Sequence, residues 1–362
     1  MQRSSPNDNY LGYKLHAPKL SIIVPAFNVG EFINRCVTSI ASDQFGKNVE
    51  IIVIDDGSTD ETKEVLEKLL QQIVGLKVIR QPNSGLGAAR NLGLEHARGA
   101  YVWFVDGDDF LTEHAVGKVL AAIELHNPDI LVVDFSCADE NGNPIDWIAC
   151  PFGADRGRTM TGGEFFRRYY ATTYACMYLF RRALLVGHGL RFQPRINMQD
   201  AELLPRVLAV TSTVFVTGIK AYVYVKRAGS FINNTDPLVR EQYFRSVIEV
   251  RRRLADFLKG LDESAIREGV IAKIEGINRI LLMAYLYDPL DAPALTWRLA
   301  VMRSEGVYPF STCPGVTLKD RLLRVAVNFQ PILFPKLYKW VRERSALQYV
   351  AALVRRAGGR DE

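Results

Sequence analysis

The chain of 362 residues is poor in cysteine: Cys36, Cys137, Cys150, Cys176 and Cys313 are scattered, odd in number and free of any C-x-x-C spacing. Such a set excludes a disulfide framework and a thiolate zinc site, and it fits a reducing cytosol. Long apolar runs are lacking too, since a charge or a proline interrupts each one before the roughly 18 to 20 residues of a spanning helix are reached. The N-terminal stretch MQRSSPNDNY is polar and has no apolar h-region, so a cytoplasmic protein, neither secreted nor transmembrane, is expected. Neither G-x-G-x-x-G nor G-x-x-x-x-G-K-[ST] occurs, which disfavours a nicotinamide-cofactor Rossmann protein and a P-loop NTPase. Internal repeats and low-complexity tracts are absent, and 48% hydrophobic residues are enough for a sizeable globular core.

The net charge of +5 is unevenly spread. From Leu318 to Glu362 ten Lys or Arg stand against four Asp or Glu, leaving the preceding 317 residues with 35 against 36. Nucleic-acid binding needs a basic, aromatic-studded face, and a nearly neutral body argues against it.

What is present alternates. LSIIVPAFN reads as a strand and turn, EFINRCVTSIAS as a helix, VEIIVID as a strand and TKEVLEKLLQQI as a helix. LKVIRQ, AARNLGLEHA, AYVWFV, HAVGKVLAAIELH and DILVVDF continue the pattern, and strands are also expected in TVFVTG and AYVYVKR. The expected fold class is α/β, a mostly parallel sheet with helices on both faces, in which ligands bind beyond the carboxyl ends of the strands. The polar motifs fall at those ends: Pro25 to Asn28, Asp55 to Ser58, Asn83 to Gly87 and Asp106 to Asp109.

Each motif has a functional and a structural reading. Ser58 with Glu61 matches a capping box, which leaves Asp55 and Asp56 unexplained; one of these acids can face the rim and accept from a ligand, or both merely solvate a strand end. NSGLGAARN, with Asn83 and Gly85, carries a backbone suited to phosphate or sugar, and equally to a plain strand-to-helix connection. In FVDGDDF alternate side chains share a side, so Asp106 and Asp108 can converge while Asp109 turns elsewhere, and Gly107 lets a ligand approach the backbone. Convergent carboxylates without His or Cys suit Mg²⁺ or Mn²⁺; the same residues also suit an acidic turn before a helix that Thr112 would cap.

Taken in order, IIVPAFN, VEIIVIDDGSTDET, NSGLGAARNLGLEHARGAYVWFVDGDD, INMQDAEL and YVYVKRAGS resemble family 2 glycosyltransferases of the GT-A fold over Leu20 to Ser230. The resemblance implies that Pro25, Ala26, Phe27 and Asn28 cradle the nucleobase of a sugar-nucleotide donor and that Asp56 reads the uracil or ribose. It implies a D-x-D at Asp106 and Asp108 that grips Mn²⁺ or Mg²⁺ on the donor diphosphate, with Asn83 and Gly85 lining the donor side. Asp200, after Gln199, would be the catalytic base of a single displacement with inversion, and Arg227 a contact to phosphate or a mobile loop. Gln199, Val225 and Cys176 depart from the family's usual glutamate, arginine and tryptophan. Without the resemblance, Asp200 would read as a helix N-cap.

Three segments follow from this reading: a polar leader at 1–18, a GT-A catalytic domain at 19–235, and a helical region with a basic tail at 236–362. The reaction that the resemblance implies moves a sugar from a nucleotide-sugar donor, a UDP-sugar, to a hydroxyl of a glycan or lipid-linked acceptor in cell-surface polysaccharide synthesis. The tail, with Tyr338, Trp340 and Tyr349 among its basic residues, suits peripheral contact with an anionic membrane or packing on the protein. A nucleotidyltransferase and a non-catalytic sugar-nucleotide scaffold are the alternatives; the first lacks a G-x-G-T-R loop near the first strand.

Overall fold

A computed structural model describes residues 17–42, 46–227, 236–262, 264–288, 292–310, and 321, 324, 325, 327 and 328. The leader up to residue 16, Cys313 and nearly all of the basic tail, with Tyr338, Trp340 and Tyr349 and its membrane reading, lie outside the described residues.

Four β-branched runs become β1 (Leu20–Ala26), β2 (Val49–Asp55), β3 (Leu76–Arg80) and β4 (Tyr101–Phe104). Between them lie α1 (Gly30–Ala41), α2 (Thr62–Gln72) and α3 (Leu86–His96). The chain continues through β5 (Phe110–Leu111), α4 (Ala115–His126), β6 (Ile130–Ala138), β7 (Pro144–Ile145), β8 (Thr159–Met160) and α5 (Gly162–Tyr169). Next come β9 (Tyr178–Arg181), α6 (Arg182–Gly187), α7 (Gln199–Ala209) and β10 (Val214–Val225). Three helices close the described chain, α8 (Pro237–Lys259), α9 (Ala265–Tyr287) and α10 (Ala292–Ser304).

All ten strands join one sheet in the order β3-β2-β1-β4-β9-β6-β10-β5, with β7 beside β6 and β8 beside β10. The first four are mutually parallel, β9 runs antiparallel to both β4 and β6, and β6 is parallel to β10. Every residue of β1 and β4 is buried, so both faces of the sheet are covered, as a parallel sheet requires. TVFVTG and AYVYVKR are not separate strands: register shifts between Val216 and Tyr222 bend one continuous β10. A bulge absorbs the polar TGIK stretch without ending the strand.

The β3-β2-β1-β4 order lays the four polar strand ends side by side. Close packing brings α3 into the same place, because a Cβ on Gly93 would stand 2.2 Å from Ile23 Cγ2 of β1. Ser58 and Glu61 do not form the expected capping box: α2 begins after Glu61 without a side-chain cap, and Ser58 accepts from the Asn28 N–H at 3.1 Å instead. The capping box of this fold belongs to α5, from Thr161 and Glu164. Thr112 caps no helix either; its hydroxyl donates to the Lys220 carbonyl at 2.7 Å.

At the opposite end of the sheet, buried Glu50 accepts from Ser21 Oγ at 2.7 Å, Lys77 Nζ at 2.6 Å and the Arg98 N–H at 2.6 Å. Burial alone would raise its carboxyl; the three donors win and hold it below the ordinary glutamate range. A depressed pKa stabilises the fold at neutral pH, and the benefit disappears as pH falls through the folded-state value. Glu50→Gln is expected to lower unfolding stability by about 2 kcal/mol, a deficit that narrows in acid. Urea melts at neutral and acidic pH check this.

Candidate active site

The expected rim is assembled, and each side chain takes a definite post. Pro25 and Ala26 are buried; the Pro25 carbonyl accepts from Gly107 N–H at 3.2 Å and the Ala26 carbonyl from Asp56 N–H at 2.8 Å. A ligand at this strand end therefore meets the next two residues. Phe27 leaves 45% of its surface to solvent, a flat apolar face. Asn28 turns the chain with φ of 51° and accepts from the Thr59 N–H at 2.8 Å through Oδ1.

Asp56 is buried and works on the protein's own loop. Its Oδ1 accepts from Gln81 Nε2 at 2.6 Å and Ser84 N–H at 2.8 Å, and its Oδ2 from Gly85 N–H at 2.8 Å. The second acid of DDGSTDE thus fixes the backbone of the NSG loop, where the sequence suggested a ligand contact. Asn83 is exposed beside it. Asp55 turns inward as well, accepting from Ser58 N–H at 2.9 Å.

The three acids of FVDGDDF coexist at one strand end because each has its own partner. Asp106 Oδ1 pairs with Arg90 at 2.7 Å and Asp108 Oδ2 with Arg227 at 2.7 Å. Asp109 is buried, accepting from the Tyr222 hydroxyl and from Val225 N–H at 2.7 Å. Burial, reinforced by Asp108 and Asp106, pushes the Asp109 carboxyl well above its ordinary value; it serves as a structural peg for β10. Gly107 is required for a reason other than the expected one: a Cβ there would lie 2.9 Å from the Pro25 carbonyl oxygen, so the close approach comes from β1.

Arg90 is the residue that sequence reading passed over. It lies 2% exposed and spans two carboxylates, Nη1 donating to Asp200 Oδ1 at 2.6 Å and Nη2 to Asp106 Oδ1 at 2.7 Å. Burial would depress its pKa; the two acids override that and hold it above the usual value. Phe192 lies against the guanidinium at 5.1 Å, and Asn91 fixes that residue by accepting from its N–H at 2.9 Å and donating to its carbonyl at 2.8 Å. A signal existed: Arg90 falls on the stripe Gly87, Arg90, Leu94, Ala97, all buried, where helical spacing calls for apolar residues.

Asp200 sits in the first turn of α7, whose N-cap is Met198. Besides Arg90 it accepts from the Ala175 N–H at 3.0 Å through Oδ2. Burial raises its carboxyl above the ordinary range, opposed by Arg90 and by the Ala175 N–H. Its side chain keeps 19% of its surface open, so a hydroxyl can reach it. Gln199 points away, buried with Oε1 lacking a hydrogen-bond partner among the described residues. Cys176, at the position where the family resemblance leads one to expect Trp, is buried with its thiol raised well above the usual range, chiefly by burial, which disfavours the reactive thiolate.

The donor chemistry at Asp106 and Asp108 fits a hard divalent ion: two carboxylates, 27% and 23% exposed, each engaged by its arginine through one oxygen. Among the described residues no group of three or more His, Cys, Asp or Glu could hold a metal. An ion here would take its other ligands from a substrate phosphate and water, as Mg²⁺ commonly does.

Comparison with known proteins agrees with this geometry. The model of "Glycosyl transferase family 2" matches residues 21–185. The glycosyltransferase GlyG of Streptococcus pneumoniae serotype 4 is 24% identical over 290 residues, 77% of this chain and 94% of that protein. EpsJ of Bacillus subtilis, an uncharacterized glycosyltransferase, is 32% identical over 189 residues, 51% of this chain and 54% of its own. The Staphylococcus aureus poly(ribitol-phosphate) beta-N-acetylglucosaminyltransferase TarS is 27% identical over 267 residues, 72% of this chain and 44% of its own. The crystal structure of TarS residues 1–349 with UDP-GlcNAc superposes with a TM-score of 0.56 at 20% identity, covering 85% of this chain and 91% of that one; at this identity the likeness concerns the fold, which is GT-A. Strand order, rim acids and family model converge on residues 21–185, which match glycosyl transferase family 2, and over 77% of its length the chain is similar to a glycosyltransferase.

Proposed function

We propose that the protein transfers a sugar from a UDP-sugar to a hydroxyl of a glycan or lipid-linked acceptor, with inversion and with the help of a divalent cation. The observation that carries this reading is the buried Arg90 bridge, which locks the general base Asp200 and the diphosphate-side acid Asp106 into one rigid unit. The exposed Phe27 ring receives the base, and Asn28 flanks it. TarS was crystallised with UDP-GlcNAc, which favours uridine as the nucleoside here.

Asp106 and Asp108 would hold Mn²⁺ or Mg²⁺, which supplies Lewis-acid neutralisation of the leaving diphosphate when bound. Arg227, paired with Asp108, is a counter-charge available to the same phosphates. Asp200 accepts the proton of the acceptor hydroxyl on the face of the sugar opposite the leaving group. Its raised carboxyl places the acid limb of the rate above the ordinary aspartate range, so activity rises with pH through that limb.

The test is a panel of UDP-, GDP- and dTDP-sugars assayed for diphosphate release with and without Mn²⁺. Metal-dependent release from a UDP-sugar is expected; release indifferent to metal, or none from any donor, refutes the reading. The family assignment sets the nucleotidyltransferase alternative aside.

A further inference from the structure

A second charged residue sits on an apolar helical stripe, and it comes from the C-terminal helices. On α9 the positions Ile266, Val270, Lys273, Ile277 and Leu281 are all buried, and helical spacing puts them on one face. Lys273 is 7% exposed, and α9 carries it in against α5 and α7. Its ammonium has three donors, and among the described residues one acceptor, Thr173 Oγ1 at 2.8 Å. No carboxylate pairs with it among the described residues; Asp200 is the acid whose field it feels. Burial, partly offset by Asp200, lowers its pKa to about 8, so at neutral pH the group is still mostly a cation. A desolvated ammonium with two unused donors costs several kcal/mol unless something anionic meets it.

The position says which side that anion comes from. Asp200 Oδ1 faces Arg90 and Asp106, the diphosphate side. Asp200 Oδ2 faces the backbone of Ala175, two residues from Thr173, the partner of Lys273. Through Thr173 and the neighbouring Ala175, Lys273 is therefore tied to the Oδ2 side of Asp200, the side not taken by Arg90. We propose that Lys273 is an acceptor-binding residue whose ammonium takes an oxyanion, a phosphate or a carboxylate, carried by the acceptor beside the hydroxyl that Asp200 deprotonates. The inference rests on the transferase reading above and adds to it a substrate class: the acceptor is anionic close to the point of attack. It also gives α9 a task in the active site that lies outside the residues matched by the family model, 21–185.

The experiment uses the full chain, saturated with UDP and Mg²⁺ so that the donor phosphate site is filled, and titrates inorganic phosphate and, separately, acetate by calorimetry. Wild type is expected to take up at least one of the two anions, and which of them binds more tightly distinguishes a phosphate-bearing from a carboxylate-bearing acceptor. Lys273→Met, which keeps the length of the side chain and removes the charge, is expected to weaken that uptake about tenfold or more while the affinity for UDP stays the same. A second measurement needs no variant: the bound anion should slow acetylation of Lys273 by acetic anhydride, read by peptide mass spectrometry, and leave exposed Lys63 unaffected. Anion uptake undiminished by Lys273→Met, no uptake of either anion by UDP-loaded wild type, or acetylation of Lys273 indifferent to the anion each overturns the assignment. Failure of the transferase reading looks different, because then UDP itself would not bind in a Mg²⁺-dependent way.

Discussion

Arg90→Lys is expected to lower the turnover number about a hundredfold with a much smaller change in the Michaelis constant for the donor. Lysine keeps the charge but is a point donor on a flexible stem, whereas the guanidinium fork meets two acids at fixed angles. The bridge needs both arms, 2.6 Å to Asp200 and 2.7 Å to Asp106. An ammonium can satisfy one carboxylate well, and the other then relaxes by a fraction of an ångström or more. Misplacement on that scale costs about two orders of magnitude in a reaction that depends on aligned groups. Arg90→Met goes further, leaving two acids facing each other without a counter-charge, and about 3 kcal/mol of stability should go with it. Kinetics with a donor series, alongside thermal unfolding of both variants, separate the two effects: the lysine variant should lose rate and stay folded, the methionine variant should lose both. If Arg90→Lys turned over like wild type, the bridge would be packing and not alignment, and the observation carrying the proposed function would be lost.

Much of the fold was legible because its strands announce themselves. IIVPA, VEIIVID and AYVWF are continuous apolar runs rich in β-branched and aromatic residues, ended by turn-forming polar residues, which is how strands covered on both faces read. The parallel order of β1 to β4 then follows from short alternating helices, and with it the shared rim. Less legible were features created by tertiary contact. Asp56 has the sequence position of a ligand contact, yet its carboxylate holds the backbone of Ser84 and Gly85; a strand-end acid gives no local sign of which it will do. Ser58 and Glu61 match a capping pattern at the right spacing, and the competing hydrogen bond from the Asn28 N–H to Ser58 comes from a segment that sequence proximity does not reveal. Sequence reading also passed over Arg90 and Lys273, absorbed into helix descriptions although each interrupts an apolar stripe. A charge on such a stripe calls for a partner, from the protein or from a ligand, so both positions were readable as buried cations, though what meets them was not.

Asp200→Asn should reduce transfer about a thousandfold, within the range that a positioned base contributes, and should leave cation-dependent UDP binding in place. The substitution keeps volume and planarity, so the first turn of α7 and the contacts of Met198 are undisturbed. It does remove the proton acceptor: an amide oxygen is too weakly basic to take a proton from a hydroxyl. The amide can still turn its oxygen toward Arg90 at the Oδ1 position, but its nitrogen then meets the Ala175 N–H donor, an unpaired contact worth about 1–2 kcal/mol of stability. Because Arg90 retains Asp106, the diphosphate side keeps its geometry, and UDP with Mn²⁺ should bind as before by calorimetry. That combination separates a transferase from a scaffold that holds a sugar nucleotide without turnover, since a scaffold has no rate to lose. The pH profile sharpens the result: wild type should show an acid limb set by the raised Asp200 carboxyl, and the residual rate of the asparagine variant should lack it. A residual rate that kept the same limb would assign that limb, and the base, to another group.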